Sequence, residues 1–320
     1  MKTHNITRRE LLVGAAGTTL LLSGCNSQKP ARKSRESNVS VVKAPVYSDA
    51  LYETVHRMFV AHRVPVKGKR VVLKPNLVEF DPGSSINTHP MLVHAALEAV
   101  RALGATDVRI AEGPGHRRLT LDLADEAGYF RTIPKFEDLF TDLNLDDVTR
   151  RTLARPASKL TELYMPHTVL GCDLLVSLPK MKTHHWAGAT LSMKNLFGTV
   201  PGGVYGWPKN ILHWAGIHEC IADLQQFVPK SFALVDAIDA MEGNGPIQGK
   251  TKHVGLLVAG RDMVAVDATC CEIMAIDAQK IGYLRLADLD SYRIHQIGED
   301  PTRLRTPFEL LPELANLRLA

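Results

Sequence analysis

The sequence contains few aromatic residues and few cysteines, and it carries little net charge. Aromatic residues make up 6% of its 320 residues, which argues against a carbohydrate-binding surface lined by aromatic rings. Its five cysteines form no C-x-x-C pair, so neither a ferredoxin-type iron–sulfur cluster nor a zinc ribbon is encoded. The formal net charge of +4 provides no basic footprint for nucleic acid. Neither an H-E-x-x-H motif nor the two-carboxylate spacing of a glycosidase stands out.

The first residues have the pattern of an export signal. Arg8 and Arg9 precede an apolar stretch, residues 11–22, that is too short to span a bilayer as a helix. The pattern resembles a twin-arginine signal, and the segment LSGC that follows resembles a lipoprotein cleavage box ending at Cys25. The resemblance implies a signal peptide over residues 1–24, twin-arginine export, processing by lipoprotein enzymes, and a lipid on Cys25. That lipid would anchor the protein to a membrane in the periplasm or cell envelope. An ordinary anchor helix is the alternative.

The next residues are polar and contain proline, which is typical of a flexible tether. We therefore expect a lipid-anchored tether over residues 25–38 and a folded domain over residues 39–320. A chain of this length with 45% hydrophobic residues can bury one large core or two lobes. Two lobes would divide the domain into residues 39–228 and 229–320.

Short apolar runs alternate with amphipathic segments along the folded part. The predicted strands are residues 39–43, 70–73, 107–111, 174–178, 232–238 and 253–259. The predicted helices are residues 50–63, 88–103, 211–227 and 263–276. This alternation indicates an α/β fold with a parallel or mixed sheet and helices on both faces. Such sheets place their ligand site at the carboxyl ends of the strands.

Polar and glycine residues follow several of these predicted strands. If the sheet is parallel, its strand ends lie along one edge and these residues meet there. The candidates for binding a substrate or a phosphate are Lys74, Asn76, Arg117, Arg118, Lys180 and Lys182. The candidate cofactor-binding glycines, which let backbone N–H groups approach a ligand, are Gly113, Gly115 and Gly188. A plain strand-to-helix turn with solvated arginines is the alternative for residues 112–118.

Three histidines and one lysine are the candidates for catalysis. His116, His184 and His185 suit general bases or metal ligands, because imidazole titrates near neutrality. Lys194 lies in an apolar context, where partial desolvation would lower its pKa. It would then suit a nucleophile or the attachment point of a covalent cofactor. A lysine that reaches the surface is the alternative.

Five segments resemble a family named domain of unknown function 362. They are residues 73–78 (LKPNLV), 104–115, 173–184, 193–202 and 255–268. The family name implies a shared fold and no activity. The order of the motifs also resembles, more distantly, that of lactate racemase and its relatives, which bind a nickel-pincer nucleotide.

The second resemblance implies roles for particular residues. His116 and His184 would exchange a substrate proton, and Lys194 would hold a pyridinium cofactor through a thioamide. His213 would be the metal ligand to nickel, and Lys74 would replace an arginine that binds substrate or phosphate.

These observations favour an exported, lipid-anchored α/β protein that binds a small anionic ligand and no nucleic acid. We expect cofactor- or metal-assisted proton or hydride chemistry on a small hydroxy acid or sugar-like substrate. An isomerase or epimerase is the first expectation and an oxidoreductase the second. The alternative is a non-catalytic lipoprotein that binds an anionic ligand or a metal.

Overall fold

The fold is organised around a mixed β-sheet in a computed structural model that describes residues 34–117 and 119–320. The predicted signal peptide, Cys25, the tether up to residue 33 and Arg118 lie outside the described residues. Residues 34–320 form one compact unit.

The described residues contain twelve strands. They are β1 (Arg35–Lys43), β2 (Arg70–Pro75), β3 (Asp107–Glu112), β4 (Phe140–Asp142), β5 (Val148–Thr152), β6 (Glu162–Pro166), β7 (Leu174–Leu178), β8 (Lys180–His184), β9 (Gly188–Thr190), β10 (Lys230–Glu242), β11 (Lys250–Gly260) and β12 (Tyr292–Gly298). The main sheet has the order β12-β1-β11-β10-β7-β2-β3-β4. Strands β10, β7, β2, β3 and β4 run parallel, whereas β11 is antiparallel to both β10 and β1. The predicted α/β class with a mixed sheet is therefore confirmed.

Helices cover both faces of this sheet. The α-helices are α1 (Leu51–Ala61), α2 (Pro90–Ala102), α3 (Thr120–Glu126), α4 (Tyr129–Thr132), α5 (Phe136–Leu139), α6 (His167–Gly171), α7 (Ser192–Asn195), α8 (Gly202–Tyr205), α9 (Asn210–Leu224), α10 (Met263–Ile273) and α11 (Gly282–Leu286). Short 3-10 helices occupy Leu196–Thr199, Gln225–Phe227, Ala278–Lys280, Leu289–Ser291 and Pro312–Leu317. The cap of α10 is Asp262, whose side chain accepts hydrogen bonds from the backbone of Val264 and Ala265.

The buried strands supply two separate hydrophobic cores. In β2, Val71 and Leu73 belong to the core that includes α1 and α2, while Val72 belongs to the core that includes α9 and α10. This is the period of two by which successive side chains of a strand point to opposite faces. Strand β7 alternates in the same way, so the central strands need apolar residues at consecutive positions.

Three features differ from the sequence-based expectations. Strand β1 begins at Arg35 because residues 35–38 pair with β12, so this part of the predicted tether lies in the sheet. Residues 39–228 and 229–320 share one sheet, because β10 lies between β7 and β11. Residues 180–184 are not among the predicted strands, but after Pro179 the chain continues as β8. That strand pairs with the distal part of β10 and with β9, which satisfies its backbone groups.

Candidate functional site

A cavity of about 730 Å³ opens where β2, β3 and β7 end, at the predicted edge of the sheet. Residues that follow β2 and β3 form one wall, and β8, β9 and α7 form another. The loop between β10 and β11, residues from the segment 197–213, and Leu311 and Glu313 near the C-terminus complete the lining. Its size suits a small ligand or a cofactor.

A buried ion pair lies beneath this cavity. Nζ of Lys74 is 2.7 Å from Oε2 of Glu112, and both side chains are almost completely inaccessible to solvent. The same amine donates hydrogen bonds to the Pro75 carbonyl and to Oδ1 of Asn195. Burial lowers the pKa of Lys74, and the Glu112 carboxylate acts in the opposite direction. Lys74 is therefore engaged within the protein and does not line the cavity, whereas Glu112 does.

Glu112 ties three segments together. Its Oε2 also accepts a hydrogen bond from the backbone of Leu77, and its Oε1 accepts one from the backbone of Gly113. The Gly113 N–H also donates to the carbonyl of Gly198, so it is already used within the protein. At Gly198 the chain passes so close to the ion pair that a Cβ atom would overlap Oε1 of Glu112.

Lys180 forms a second buried pair away from the cavity. Its Nζ is 2.7 Å from Oδ2 of Asp236 and also donates to the hydroxyl of Tyr47. Asp236 in turn accepts hydrogen bonds from Tyr47 and from the backbone of His89. Lys180 therefore does not line the cavity, although Lys182 and His184 of the same strand do.

Three other lysines line the cavity with no carboxylate partner among the described residues. Lys182 donates to the carbonyls of Ile86 and Pro246, and Lys209 donates to those of Gly113 and Phe197. In the described part of the chain, Nζ of Lys194 makes no hydrogen bond. It lies 3.8 Å from the centre of the Phe197 ring.

Burial disfavours the charged form of all three amines. It lowers the pKa of Lys194 to about 7, assisted by the charge of Lys74, and lowers the pKa of Lys209 to about 7. The pKa of Lys182 lies well below its usual range, because burial is joined by repulsion from Lys180 and Lys194. The cavity is consequently a buried concentration of amines that an anion would stabilise in the charged form.

His184 is fixed as a neutral hydrogen-bond donor. Its Nδ1 accepts hydrogen bonds from the backbone N–H groups of Trp186 and Ala187, at 3.0 and 3.1 Å. A flipped ring would place a C–H group against these two donors. In the neutral imidazole the proton is therefore on Nε2. Burial holds the pKa of His184 well below its usual range, so the ring is not protonated near neutrality. This tautomer donates a hydrogen bond and does not suit the general base expected from the sequence.

His185 and His213 have the opposite tautomer. Nδ1 of His185 lies 2.8 Å from the Gly245 carbonyl, and Nδ1 of His213 lies 3.0 Å from the Lys209 carbonyl. A carbonyl only accepts, so each Nδ1 carries a proton, and in the neutral form of each ring the lone pair is on Nε2. Burial and the nearby Lys194 lower the pKa of His213 to about 4. Both rings line the cavity as acceptors, and each contacts the half-exposed Trp186.

His116 lies at the more exposed end of the lining and is paired with a carboxylate. Its Nδ1 is 2.9 Å from Oε2 of Glu79, whose other oxygen accepts a hydrogen bond from Arg117. Arg117 also contacts Glu126, so two carboxylates already occupy this guanidinium, and it does not line the cavity. Burial acts to raise the pKa of Glu79, but hydrogen bonds from Phe80, His116 and Arg117 outweigh it and lower that pKa.

Two buried polar atoms of the lining residues lack a partner among the described residues. They are Oδ1 of Asn76 and Oγ1 of Thr190. Buried polar groups are normally hydrogen-bonded, so these atoms mark positions where a ligand would bind. Gly115 also lines the cavity. Gly188, the first residue of β9, does not: its φ is +78°, and a Cβ atom added there would overlap Ile281 and Leu317.

Three supporting residues were not predicted as site residues. Glu112 ends β3, a position that could have marked it, whereas nothing in the sequence around Lys209 indicated a buried amine. Asp267 accepts hydrogen bonds from the backbone of Ser192 and Met193 and from the Ser192 hydroxyl, which fixes the start of α7. Burial raises the pKa of Asp267 to about 7. This carboxyl group therefore holds the helix that carries Lys194.

The described residues include no group of three or more His, Cys, Asp or Glu side chains arranged to hold a metal ion. A metal brought in by its own chelating nucleotide would need fewer ligands from the protein. Lys194 and His213 both line the cavity, and both lie beside the Phe197 ring.

Comparison with known proteins identifies the family. The family model described as domain of unknown function (DUF362) matches residues 71–272, which is more than half of the chain. The chain belongs to this family. It is also 28% identical over 249 residues to a thylakoid-associated protein of Synechocystis sp., covering 76% of this chain and 72% of that relative. No helix in residues 34–117 and 119–320 has both the length and the apolar composition of a membrane span.

Two solved structures show weaker likeness. The lactate racemase apoprotein of Thermoanaerobacterium thermosaccharolyticum is 15% identical, with a TM-score of 0.47. That match covers 76% of this chain and 58% of the racemase. A structural-genomics protein from Thermotoga maritima is 14% identical, with a TM-score of 0.40, and the match covers 72% of this chain and 60% of that protein. Neither likeness assigns a ligand or a reaction to this member of the DUF362 family.

Gly198 provides a test of the ion pair beneath the cavity. In Gly198→Ala the new Cβ would overlap Oε1 of Glu112 and lie 2.5 Å from Nζ of Lys74, so the pair has to move. We expect the free energy of unfolding in urea to fall by about 2 kcal/mol. Gly203→Ala is the matched control, because the nearest atom to its new Cβ is 3.6 Å away. Equal stability of the two variants would contradict this account.

Proposed function

We propose that this protein is an enzyme that moves a proton on a small anionic substrate of the hydroxy-acid or sugar-acid type. The observation that carries the proposal is a cavity lined by imidazoles of both tautomers and by three amines that have no carboxylate partner among the described residues. An isomerase or epimerase fits this lining best, and an oxidoreductase on the same substrates is second.

The amines support an anionic ligand. Lys182, Lys194 and Lys209 lie in one cavity, and burying charged amines without counter-charge is costly. A carboxylate or phosphate in the cavity would supply that counter-charge. Oδ1 of Asn76 is an unpartnered acceptor and suits a substrate hydroxyl, while the Thr190 hydroxyl can donate or accept. This set of groups matches a molecule that carries both an acidic group and a hydroxyl.

The imidazoles support proton transfer. His184 presents an N–H that can stabilise an oxygen on which negative charge develops. His185 and His213 present lone pairs that can accept a proton, and His116 is oriented by Glu79 in the manner of a carboxylate-supported base. Removal of a substrate proton by one of these bases and its return by another would invert a stereocentre.

A cofactor of the nickel-pincer type would supply a hydride acceptor when bound, with Lys194 as its attachment point and His213 as the metal contact. The cavity lining is compatible with that group without requiring it.

The proposal extends to location and partners. The twin-arginine pattern and Cys25 support export by the twin-arginine machinery, followed by lipid attachment and anchoring in the cell envelope. A thylakoid-associated relative is consistent with a membrane-associated protein.

The depressed lysine pKa values predict how stability depends on pH. An unfolded lysine holds its proton up to about pH 10.4, whereas Lys194 in the folded protein releases it at about 7. Between these values the unfolded state binds more protons, so the free energy of unfolding rises with pH. We expect Lys194→Met to reduce this slope by about 1 kcal/mol per pH unit, measured by urea unfolding at several pH values above 7.

The exposed Lys43 is the control for this measurement, and Lys43→Met should leave the slope unchanged. Lactate should stabilise the wild-type protein below pH 7, where the amines are charged, and Lys194→Met should reduce that effect. An unchanged slope in Lys194→Met, or no stabilisation by any small hydroxy acid, would contradict the anionic site.

The histidine assignments predict a loss of turnover without a loss of binding. Small hydroxy acids would be screened for optical inversion and for exchange of the α-hydrogen in heavy water. With an active substrate, His184→Ala should lower kcat by about 10²- to 10³-fold while the substrate still stabilises the protein, because the lysines remain. His213 is uncharged above about pH 5, so kcat/KM should stay level there and fall as the lysines lose protons near pH 7.

A binding protein would give a different result. It would be stabilised by the same hydroxy acids, would invert none of them, and would keep its affinity in His184→Ala. That outcome would indicate that the protein is a non-catalytic lipoprotein that binds anionic ligands.

The proposed lipid anchor depends on Cys25. In the native host, Cys25→Ser should abolish incorporation of a labelled fatty acid and move the protein from the membrane to the soluble fraction. The double substitution Arg8→Lys and Arg9→Lys should block export, so that the uncleaved precursor stays on the cytoplasmic side of the membrane. A Cys25→Ser protein that stays in the membrane fraction would indicate an uncleaved anchor helix.

A further inference from the structure

We infer that Lys194 is a nucleophilic amine that forms a Schiff base with a small carbonyl compound carrying a carboxylate, such as an α-keto acid. The inference rests on the proposed anionic cavity and names a substrate class for it. The structural basis is one unbonded amine that faces the cavity among other amines and imidazoles.

The first support is the contrast between Lys194 and its neighbours. The amines of Lys182 and Lys209 each donate two hydrogen bonds to backbone carbonyls. These bonds fix the position of each amine and direct its N–H groups toward the protein. Within the described residues Lys194 has no such bond, and its Nζ lies 3.8 Å from the centre of the Phe197 ring. An amine must present its lone pair to a carbonyl carbon, and Lys194 is the lysine of this lining that is free to do so.

The second support is the charge around this amine. The groups that influence it or that it influences are Lys74 and Glu112 below, Lys182 on β8, Lys209 before α9, and the rings of His184 and His213. The neighbouring amines outnumber the one carboxylate, and that carboxylate is paired with Lys74. Desolvation and adjacent cations are the two conditions that keep a lysine unprotonated and nucleophilic near neutrality. They agree with a pKa of about 7 for Lys194.

The third support is that α7 is held rigidly. Asp267 accepts hydrogen bonds from the backbone of Ser192 and Met193, and Asn195 is clamped to Lys74 and Ser177. The residues on either side of Lys194 are therefore fixed while its amine is left unbonded. Such preorganisation is expected of a group that reacts with a bound ligand.

The step balances with the groups in the cavity. The Lys194 nitrogen adds to the carbonyl carbon, and the His184 N–H can donate a hydrogen bond to the oxygen as it gains charge. The nitrogen passes one of its two protons to the oxygen, and a proton from solvent completes the water that leaves. A C=N bond replaces the C=O bond, and its nitrogen keeps one proton as an iminium. The carbon next to the C=N bond, which is C3 of pyruvate, loses a proton more readily in the iminium than in the free keto acid. An imidazole with a free Nε2, on His185 or His213, can accept that proton.

The test is reductive trapping of the full-length protein with pyruvate and cyanoborohydride near pH 7. The borohydride supplies the hydride that reduces the C=N bond to a stable amine. We expect one adduct, which adds the mass of pyruvic acid less one oxygen atom, and peptide mapping should place it on Lys194. Lys182 and Lys209 are internal controls in the same cavity and should remain unmodified. Exposed lysines, with an ordinary pKa of about 10.4, should react on the order of a hundredfold more slowly.

Lys194→Arg keeps the positive charge and removes the nucleophile, so it should bind pyruvate, seen as thermal stabilisation, and give no adduct. Lys194→Met serves as a second variant if the arginine disturbs folding. Lactate has the same charge as pyruvate and no carbonyl, so it should protect Lys194 and form no adduct.

The outcomes separate this inference from the proposed function. Stabilisation by lactate and pyruvate without an adduct on Lys194, or an adduct spread over several lysines, would overturn the Schiff base and leave the anionic site standing. No stabilisation by either acid would overturn both. The intact mass of protein from its own host, measured before treatment, tests for a covalent group already on Lys194. Such a group would overturn the Schiff base and indicate a resident cofactor at Lys194.

Discussion

The contact between Lys74 and Glu112 determines how the strand ends of this protein are arranged. Two groups of opposite charge are buried side by side at the ends of adjacent parallel strands, where removing either one would leave the other uncompensated. The carboxylate also accepts hydrogen bonds from the backbone N–H groups of Leu77 and Gly113, and the amine donates one to Oδ1 of Asn195 on α7. The segments that follow β2 and β3 and the helix that carries Lys194 are therefore fixed relative to one another. The close passage of Gly198 shows how little space this arrangement leaves.

Above that pair, the backbone decides what each imidazole can do. Two N–H groups point at one nitrogen of His184 and make the other a donor, whereas carbonyls point at His185 and His213 and leave them as acceptors. Sequence-adjacent residues of the same type thus acquire opposite chemistry. The division is useful for catalysis, because a reaction that moves a proton beside a carboxylate needs both a donor for the developing charge and a base.

The lysines divide in a similar way. Lys74 and Lys180 are paired with carboxylates and stabilise the fold, while Lys182, Lys194 and Lys209 have no such partner in the described residues and line the cavity. Burial, assisted by the charge of Lys74, lowers the pKa of Lys194 to about 7, and the proposed anion would supply the missing counter-charge. Membership of the DUF362 family names no ligand, so the proposed anion rests on the cavity itself.

The sequence alone determined the architecture, because the alternation of apolar strands with amphipathic helices and the polar residues after each strand are local patterns. It predicted a ligand site at the edge of the sheet where the cavity lies, and Asn76, His116, His184, His185 and Lys194 all line that cavity. Tertiary structure decided everything that depends on a partner distant in the chain. Lys74 and Lys180 are residues of a type that binds anionic ligands, but each is paired with a carboxylate of the protein. The partner of Lys74 is 38 positions away in the sequence, and that of Lys180 is 56 positions away. The tautomer of each histidine and the burial of Lys209 depend likewise on backbone groups that only the folded chain brings close. A one-dimensional pattern identifies which residues can carry charge or protons, whereas their pKa and availability depend on neighbours that folding supplies.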